Sequence, residues 1–355
     1  MAAIFQKDSA LIADEAEASR LHNKGCYGEP QSGGSLRLNL LEALYLYESE
    51  RLNISGPDGR EMSFGELVTY ASRRMRNFEV RYIVYSDMRR RGLIVNLAGD
   101  STDGIDFHLY RRGDTPKTAA PQAFVISISE RQTFDLDFMF AVSAGAAGTG
   151  KEVILAIVDE EGDITYYRMK TVEPHARVRE HFSRAYSGIL LSDRVLIPSE
   201  EDAAEMRSAG FYGNQLGTGL QISMIEAAYL TRRKMLKLVS ARTGRKASIS
   251  AVMDMSSRLD SSFGEKMAVY DDMKNRGFIV KTGFKYGSHF RAYDADPEKA
   301  HAKFLVHAVS PGYAATWPEI SRAVRLSHGV RKEILFARAA ASGVTGYLEL
   351  KRHIL

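Results

Sequence analysis

The chain is written twice, and that duplication confines it to folds built from two copies of one architecture. Tyr85-Ser86-Asp87-Met88-Arg89-Arg90-Arg91-Gly92-Leu93-Ile94-Val95 returns 185 positions later (270 − 85) as Tyr270-Asp271-Asp272-Met273-Lys274-Asn275-Arg276-Gly277-Phe278-Ile279-Val280, with seven of eleven positions identical. The echo runs nearly end to end. Tyr27-Gly28 answers Tyr212-Gly213, and Leu41-Glu42-Ala43 answers Ile225-Glu226-Ala227. Ile105-Asp106-Phe107-His108-Leu109-Tyr110 answers Ser288-His289-Phe290-Arg291-Ala292-Tyr293. Lys151-Glu152-Val153-Ile154 answers Lys332-Glu333-Ile334-Leu335, and Ile164-Thr165-Tyr166-Tyr167 answers Val344-Thr345-Gly346-Tyr347. Positions the copies share report the fold; positions that differ point to what one copy does alone.

Each copy reads as a front part of short strands and helices (about 1–75 and 185–258) and a back part with a clearer order. In the second copy Met267, Tyr270 and Met273 recur at helical spacing, and Gly277 suits the end of that helix. Apolar β-rich runs follow at Phe278–Phe284, His289–Tyr293 and Lys303–Val309. Trp317-Pro318-Glu319 opens a second helix, with proline in its first turn, and Gly329 stops it. Lys332–Arg338 and Val344–Leu350 close the domain as strands, as Lys151–Val158 and Ile164–Met169 do in the first copy. The order predicts a mixed α/β fold, α+β in arrangement, with a mixed sheet flanked by helices. The segments expected are 1–80, 81–178, 179–262 and 263–355. The basic run Arg232-Arg233-Lys234-Met235-Leu236-Lys237-Leu238 reads as the solvated face of an amphipathic helix, with a recognition helix as the alternative.

Composition sets the class. A length of 355 residues with 45% hydrophobic content gives each copy enough apolar mass for a core. The single cysteine, Cys26, excludes an intrachain disulfide and a cysteine zinc cluster, consistent with a reducing cytoplasm. No signal-peptide pattern or 18-residue apolar run occurs, so neither a membrane span nor a membrane partner is expected. The net charge of +4 conceals an asymmetry: residues 1–178 carry 21 Lys+Arg against 26 Asp+Glu (−5), and residues 179–355 carry 27 against 18 (+9). A basic half suits a polyanion such as nucleic acid, or is an uneven solvated surface.

Gly145-Ala146-Ala147-Gly148-Thr149-Gly150-Lys151 imitates a phosphate-binding loop, but Glu152 stands where Ser or Thr should reach magnesium. The apolar run after it reads as a strand, whereas such a loop must open a helix. No nucleotide cofactor is expected. Internal alignment explains the stretch better: Ala141, Ala144, Ala147 and Gly150 fall on Arg322, Arg325, His328 and Arg331. Likewise Pro121 falls on His301. Copy two therefore holds Tyr293, His301 and Lys332 where copy one holds Tyr110, Pro121 and Lys151.

Tyrosine, histidine and lysine without a carboxylate cluster suit metal-free phosphoryl transfer on RNA, where the 2′-hydroxyl is a built-in nucleophile. A histidine with an ordinary pKa near ~6.5 suits the acid role. A tyrosine at ~10 needs nearby cations to lower it, and Lys332 with Arg325 are the expected ones. Lys332 also suits stabilisation of charge on the phosphorane. Taken singly, each of these residues is explained equally well by packing or solvation; the signal is that the histidine and the cationic helix occur together in one copy.

At these residues the chain resembles the archaeal tRNA-splicing endonucleases. The resemblance is carried by Arg276-Gly277-Phe278-Ile279-Val280-Lys281-Thr282-Gly283-Phe284-Lys285-Tyr286-Gly287, by Phe290-Arg291-Ala292-Tyr293, and by Ala323-Val324-Arg325-Leu326 leading to Val330-Arg331-Lys332. It covers essentially the whole chain and is most specific over 270–352. It implies the homodimeric form, each subunit holding a degenerate nuclease-like copy and a catalytic one. It further implies a precursor tRNA substrate with a bulge-helix-bulge, no metal, and cyclic-phosphate and 5′-hydroxyl ends. By resemblance Tyr293, His301 and Lys332 are catalytic. Arg325 and Arg352 clamp a bulged base, with Lys351 the alternative to Arg352, and Arg322 adds RNA contact on the same helix. The family pattern has His-Ser where this chain has His301-Ala302, which leaves His289 and His307 as structural neighbours to weigh. The acidic turn Asp159-Glu160-Glu161-Gly162-Asp163, uncharged in its counterpart Ala339-Ala340-Ala341-Ser342-Gly343, would dock in a basic cleft of the partner. A non-catalytic RNA-binding subunit is the alternative function.

Overall fold

The computed structural model describes residues 1–99, 104–340 and 342–355; Ala341, within the uncharged turn 339–343, lies outside them. The chain forms two compact units. The first holds Met1–Thr133, Val142–Met169 and Arg352–Leu355, and the second holds Phe134–Ala141 and Lys170–Lys351. Both are mixed α/β, as the sequence order predicts. Among the described residues no helix is long and apolar enough to cross a membrane.

The front part of the first unit is a sheet in the order Glu29–Pro30, Leu36–Asn39, Ser9–Ile12, Ala2–Gln6, Asn53–Ser55. The front part of the second repeats that order with Asn214–Leu216, Gly219–Ser223, Arg194–Ile197, Tyr186–Leu190 and Leu236–Ser240, then adds Lys246–Ala247. A capping box opens the helix of each: Asn39 with Glu42, and Ser223 with Glu226. The same carboxylate reaches one step further, accepting the backbone N–H of Gly28 at 3.0 Å in copy one and of Gly213 at 3.1 Å in copy two. This accounts for the recurrent Tyr-Gly pair. Gly28 and Gly213 have φ 64° and 58°, and a Cβ at Gly213 would lie 2.3 Å from the Gln221 carbonyl oxygen.

The basic run 232–238 is not one helical face. The helix ends at Arg232, Lys234 turns with φ 63°, and Leu236–Ser240 is a strand with Leu236 and Leu238 buried. The apolar residues alternate at period two from Leu236 onward, and that period sets the local structure.

In the second unit the back part runs α1 (Phe263–Asn275), β1 (Ile279–Thr282), β2 (Phe290–Tyr293), β3 (Phe304–Val309), β4 (Ala314–Thr316), α2 (Trp317–Gly329), β5 (Glu333–Ala340) and β6 (Gly343–Arg352). The sheet order is β1-β2-β3-β5-β6, antiparallel except for the parallel pair β3–β5, whose crossover is α2. α1 buries Phe263, Met267, Tyr270 and Met273 against this sheet. Its reversal needs Gly277, at φ 85°, where a Cβ would lie 2.5 Å from the Ala176 carbonyl oxygen. α2 opens with Thr316 and Glu319 as a capping box and buries Trp317, Ile320, Val324 and Ser327. In the first unit the strands Val95–Leu97, Phe107–Leu109, Ala123–Ser129, Glu152–Val158 and Ile164–Val172 repeat the same order. In copy one the helix Leu136–Gly148 precedes the strand containing Val153–Val158, so the Gly145–Lys151 stretch ends a helix where a phosphate-binding loop would open one.

Two details depart from the sequence reading. The run expected as a strand to Phe284 stops at Thr282, because Gly283 and Gly287 bracket a 3₁₀ turn that leaves Phe284 86% exposed. The pairing of Tyr167 with Tyr347 is one residue out: Ala156 faces Tyr166 and Ala337 faces Tyr347, with a bulge between Arg338 and Ala339 taking up the difference.

Candidate active site

Strand register brings three chain segments to one end of the second unit's sheet. Ala292 of β2 pairs with Phe304 of β3, and Phe304 pairs with Glu333 of β5. The ladder closes with Lys303 N–H donating to the Ala292 oxygen at 2.9 Å and Glu333 N–H to the Lys303 oxygen at 3.1 Å. Tyr293 is one residue beyond the first pair, Lys332 one residue before the second, and His301 two residues before Lys303. At the equivalent positions of the first unit, Pro121 and Lys151 line one cavity of about 250 Å³.

Each side chain is held differently. Tyr293 is 5% exposed and packs with Ile279, Ala302, Val178 and Phe211. Lys332 is half-buried: its Nζ donates to the Val330 oxygen at 3.1 Å and lies 5.2 Å from the Tyr286 ring centroid. The turn that delivers it hangs from α2, with Lys332 N–H on the Ser327 oxygen at 2.9 Å and Arg331 at φ 55°. His301 is exposed, at the end of a loop that Asp296 organises by accepting the N–H groups of Glu298, Lys299 and Ala300, while buried Ala302 anchors the loop to the sheet.

The expected tuning of Tyr293 differs from the outcome. Burial holds the phenol above its ordinary value, and the cation that opposes this is Arg291, neither Lys332 nor Arg325. The Arg291 guanidinium sits 5.7 Å from the ring centroids of both Tyr286 and Tyr293, and its Nε donates to the Thr282 oxygen at 2.8 Å. Sequence reasoning missed Arg291 and Tyr286, although His108 opposite Arg291 was a visible difference between the copies.

His289 and His307 are built into the sheet. Burial, with Lys266 adding to it, pushes His289 down to about 4, and burial pushes His307 to about 4. His289 Nδ1 accepts the Ala308 N–H at 2.9 Å, and His307 stacks on Phe336. Arg322 and Arg325 are exposed on α2, opposite its buried face. Arg352 is exposed at the end of β6 and groups with the first unit, while Lys351 pairs with Glu333 at 3.7 Å. In the first unit Asp159, Glu160, Glu161 and Asp163 are all exposed. Asp159 shapes the turn by accepting the N–H groups of Glu161 and Asp163, and Glu160 pairs with Arg131 at 2.7 Å.

The model of the tRNA intron endonuclease catalytic C-terminal domain matches this chain twice, at residues 78–166 and 263–346. The model of the tRNA intron endonuclease N-terminal domain also matches twice, at 1–68 and 186–253. The tRNA-splicing endonuclease of Methanococcoides burtonii is 35% identical over 359 residues, covering 99% of each chain. That of Methanosarcina acetivorans is 35% identical over 353 residues and 98% of each, and that of Haloferax volcanii 31% over 348 residues and 94% of each.

Proposed function

The chain belongs to the tRNA intron endonuclease family, and from that premise we propose that it excises introns from precursor tRNA at a bulge-helix-bulge. The observation that carries this reading is the convergence of Tyr293, His301 and Lys332 on one sheet end, in the one copy that also carries the cationic helix. In the reaction the 2′-oxygen attacks the adjacent phosphorus as its proton passes to the Tyr293 oxygen. The bond from phosphorus to the 5′-oxygen breaks as His301 protonates that oxygen, and Lys332 donates to a non-bridging oxygen of the phosphorane. The products are a 2′,3′-cyclic phosphate and a 5′-hydroxyl, with no metal and no nucleotide cofactor taking part. A phenol held high is scarce as tyrosinate at neutral pH, and it must be ionised while His301 stays protonated, so the reactive form is a minor one and the rate should pass through a broad maximum with pH.

Arg322, Arg325 and Arg352 supply planar cations for phosphate contact and for stacking on splayed bulge bases. Two subunits form the active enzyme. The acidic turn of one enters a cavity of about 580 Å³ in the second unit of the other, where Arg194, Lys266, Lys281 and Arg291 outnumber Asp193, Glu226 and Asp260. The test is cleavage of a bulge-helix-bulge RNA by the full chain in EDTA, wild type beside His301→Ala, with product ends analysed. Metal-free cutting to a cyclic phosphate, reduced roughly 10²–10⁴-fold in the variant, is expected. Equal activity in the variant removes His301 from the mechanism, and binding without cutting by either protein identifies a non-catalytic subunit.

A further inference from the structure

We propose that Arg291 is a positioning residue for RNA cleavage: held between Tyr286 and Tyr293, it fixes and electrostatically tunes the phenol that takes the 2′-hydroxyl proton. The inference rests on the reading of Tyr293 as the base. Its geometric ground is a continuous alternation of rings and cations, Tyr293, Arg291, Tyr286 and Lys332, with separations of 5.7, 5.7 and 5.2 Å from cation to ring centroid. The bond from Arg291 Nε to the Thr282 carbonyl fixes the guanidinium on the β1–β2 ladder, so it cannot simply follow solvent. The packing around Tyr293 is otherwise apolar: Ile279 from β1, Ala302 entering β3, Val178 and Phe211. The charged neighbours next to it in sequence and across the strand, Asp294 and Lys303, pair with each other at 3.9 Å. Arg291 and Tyr286 are the titratable groups that act on the phenol, and Arg291 is the one that favours tyrosinate.

The first copy supplies a control. His108 stands at the position of Arg291, tilted against Phe124 at 5.3 Å, and burial lowers its pKa and so favours the neutral ring. The buried tyrosine survives there as Tyr110, without a fixed cation at this position and without a histidine at Pro121. Tyrosine retention is explained by packing, whereas the arginine and the histidine occur together only where the reaction is assigned.

The experiment is single-turnover cleavage of a bulge-helix-bulge RNA from pH 6 to 10 by wild type, R291M, R291K and Y293F, with RNA affinity and oligomeric state measured alongside. R291M is expected to lower the rate about tenfold for each pH unit by which the phenol's ionisation moves up, and to move the alkaline limb of the profile, which belongs to Tyr293, to higher pH. RNA affinity should change by less than about threefold, and rates are compared at concentrations where wild type and variant are both assembled, because Arg291 also lines the cavity proposed for the acidic turn. R291K keeps the charge but not the planar stack, so it should show a smaller displacement in the same direction. An unchanged profile in both variants overturns the inference, as does a loss equal at every pH accompanied by weaker RNA binding or altered assembly. Wild-type cutting by Y293F overturns the reading of Tyr293 itself. An inactive Y293F beside unshifted Arg291 variants sinks the Arg291 inference alone.

Discussion

His289 and His307 make the stability of the second copy sensitive to acid below about pH 6.5. Both are pushed from 6.5 to about 4, chiefly by burial. Protonating His289 Nδ1 would set a new N–H against the Ala308 N–H that it now accepts, and its ring lies 5.7 Å from that of His307. The folded-state values are depressed, so the unfolded chain takes up protons first. The contribution is whole above pH 6.5 and is lost as pH falls toward 4. At pH 5 each histidine alone accounts for about 2 kcal/mol, rising to a ceiling of about 3.4 kcal/mol below pH 4. One proton on the pair discourages the second, which keeps the folded state neutral, so the two shares add and the joint loss at pH 5 is about 4 kcal/mol. Because the chain has two units, the measurement is local: hydrogen exchange of the β3 and β5 amides at pH 7.5 and 5, corrected for intrinsic exchange, in wild type and His307→Phe. Phenylalanine keeps the stack on Phe336, which is 5.4 Å away, and cannot titrate. The variant should lose only the single-histidine share of about 2 kcal/mol. Equal protection of the wild type at both pH values would show that the rings are not held neutral, and the argument would fail.

Two further predictions use the duplication as a control. Gly277→Ala drives a Cβ to 2.5 Å from the Ala176 oxygen, whereas at Gly92 (φ 78°) nothing lies within 4 Å. Gly92→Ala should then cost about 1 kcal/mol from backbone strain and Gly277→Ala distinctly more, read by chemical denaturation; equal costs would show that the contact at Ala176 relaxes freely. Reversing the exposed charges that do not shape the turn, as Glu160→Lys, Glu161→Lys and Asp163→Lys, should split the proposed dimer in analytical ultracentrifugation while leaving RNA affinity of the monomer intact. Assembly that survives the reversal places the interface elsewhere.

The elements most legible in the sequence were those fixed by local chemistry and repetition. α2 was marked by Pro318, its capping pair and its apolar spacing, and α1 by Met267, Tyr270 and Met273. Comparison of the copies singles out Tyr293, His301 and Lys332 as differences or retentions, and the strand register joins their segments. The direction of the Tyr293 shift was not legible. Its burial depends on Val178 and Phe211, which are remote in sequence, and no spacing rule brings them together. Tyr286 was missed for a related reason. It leaves a 3₁₀ turn bracketed by glycines, and the return of its ring over Arg291 depends on that turn rather than on strand periodicity.

The strongest repeat in the chain turns out to be scaffold. Asp87 accepts from Arg91 Nε at 2.7 Å and from the Tyr166 hydroxyl at 2.7 Å; Asp272 accepts from Arg276 Nε at 2.6 Å and from the Tyr347 hydroxyl at 2.6 Å. The aspartate and arginine are among the seven identities of the repeated segment, and each guanidinium also lies over its tyrosine ring. A half-buried carboxylate must keep both donors or leave polar groups unpaired, so neither copy can lose the set cheaply. His301, Arg322 and Arg325 are exposed and carry no such obligation, and the first copy has none of the three. The copies agree where burial enforces agreement and part at exposed positions, and under the proposed reaction those positions would let one copy act as the enzyme and the other as its frame.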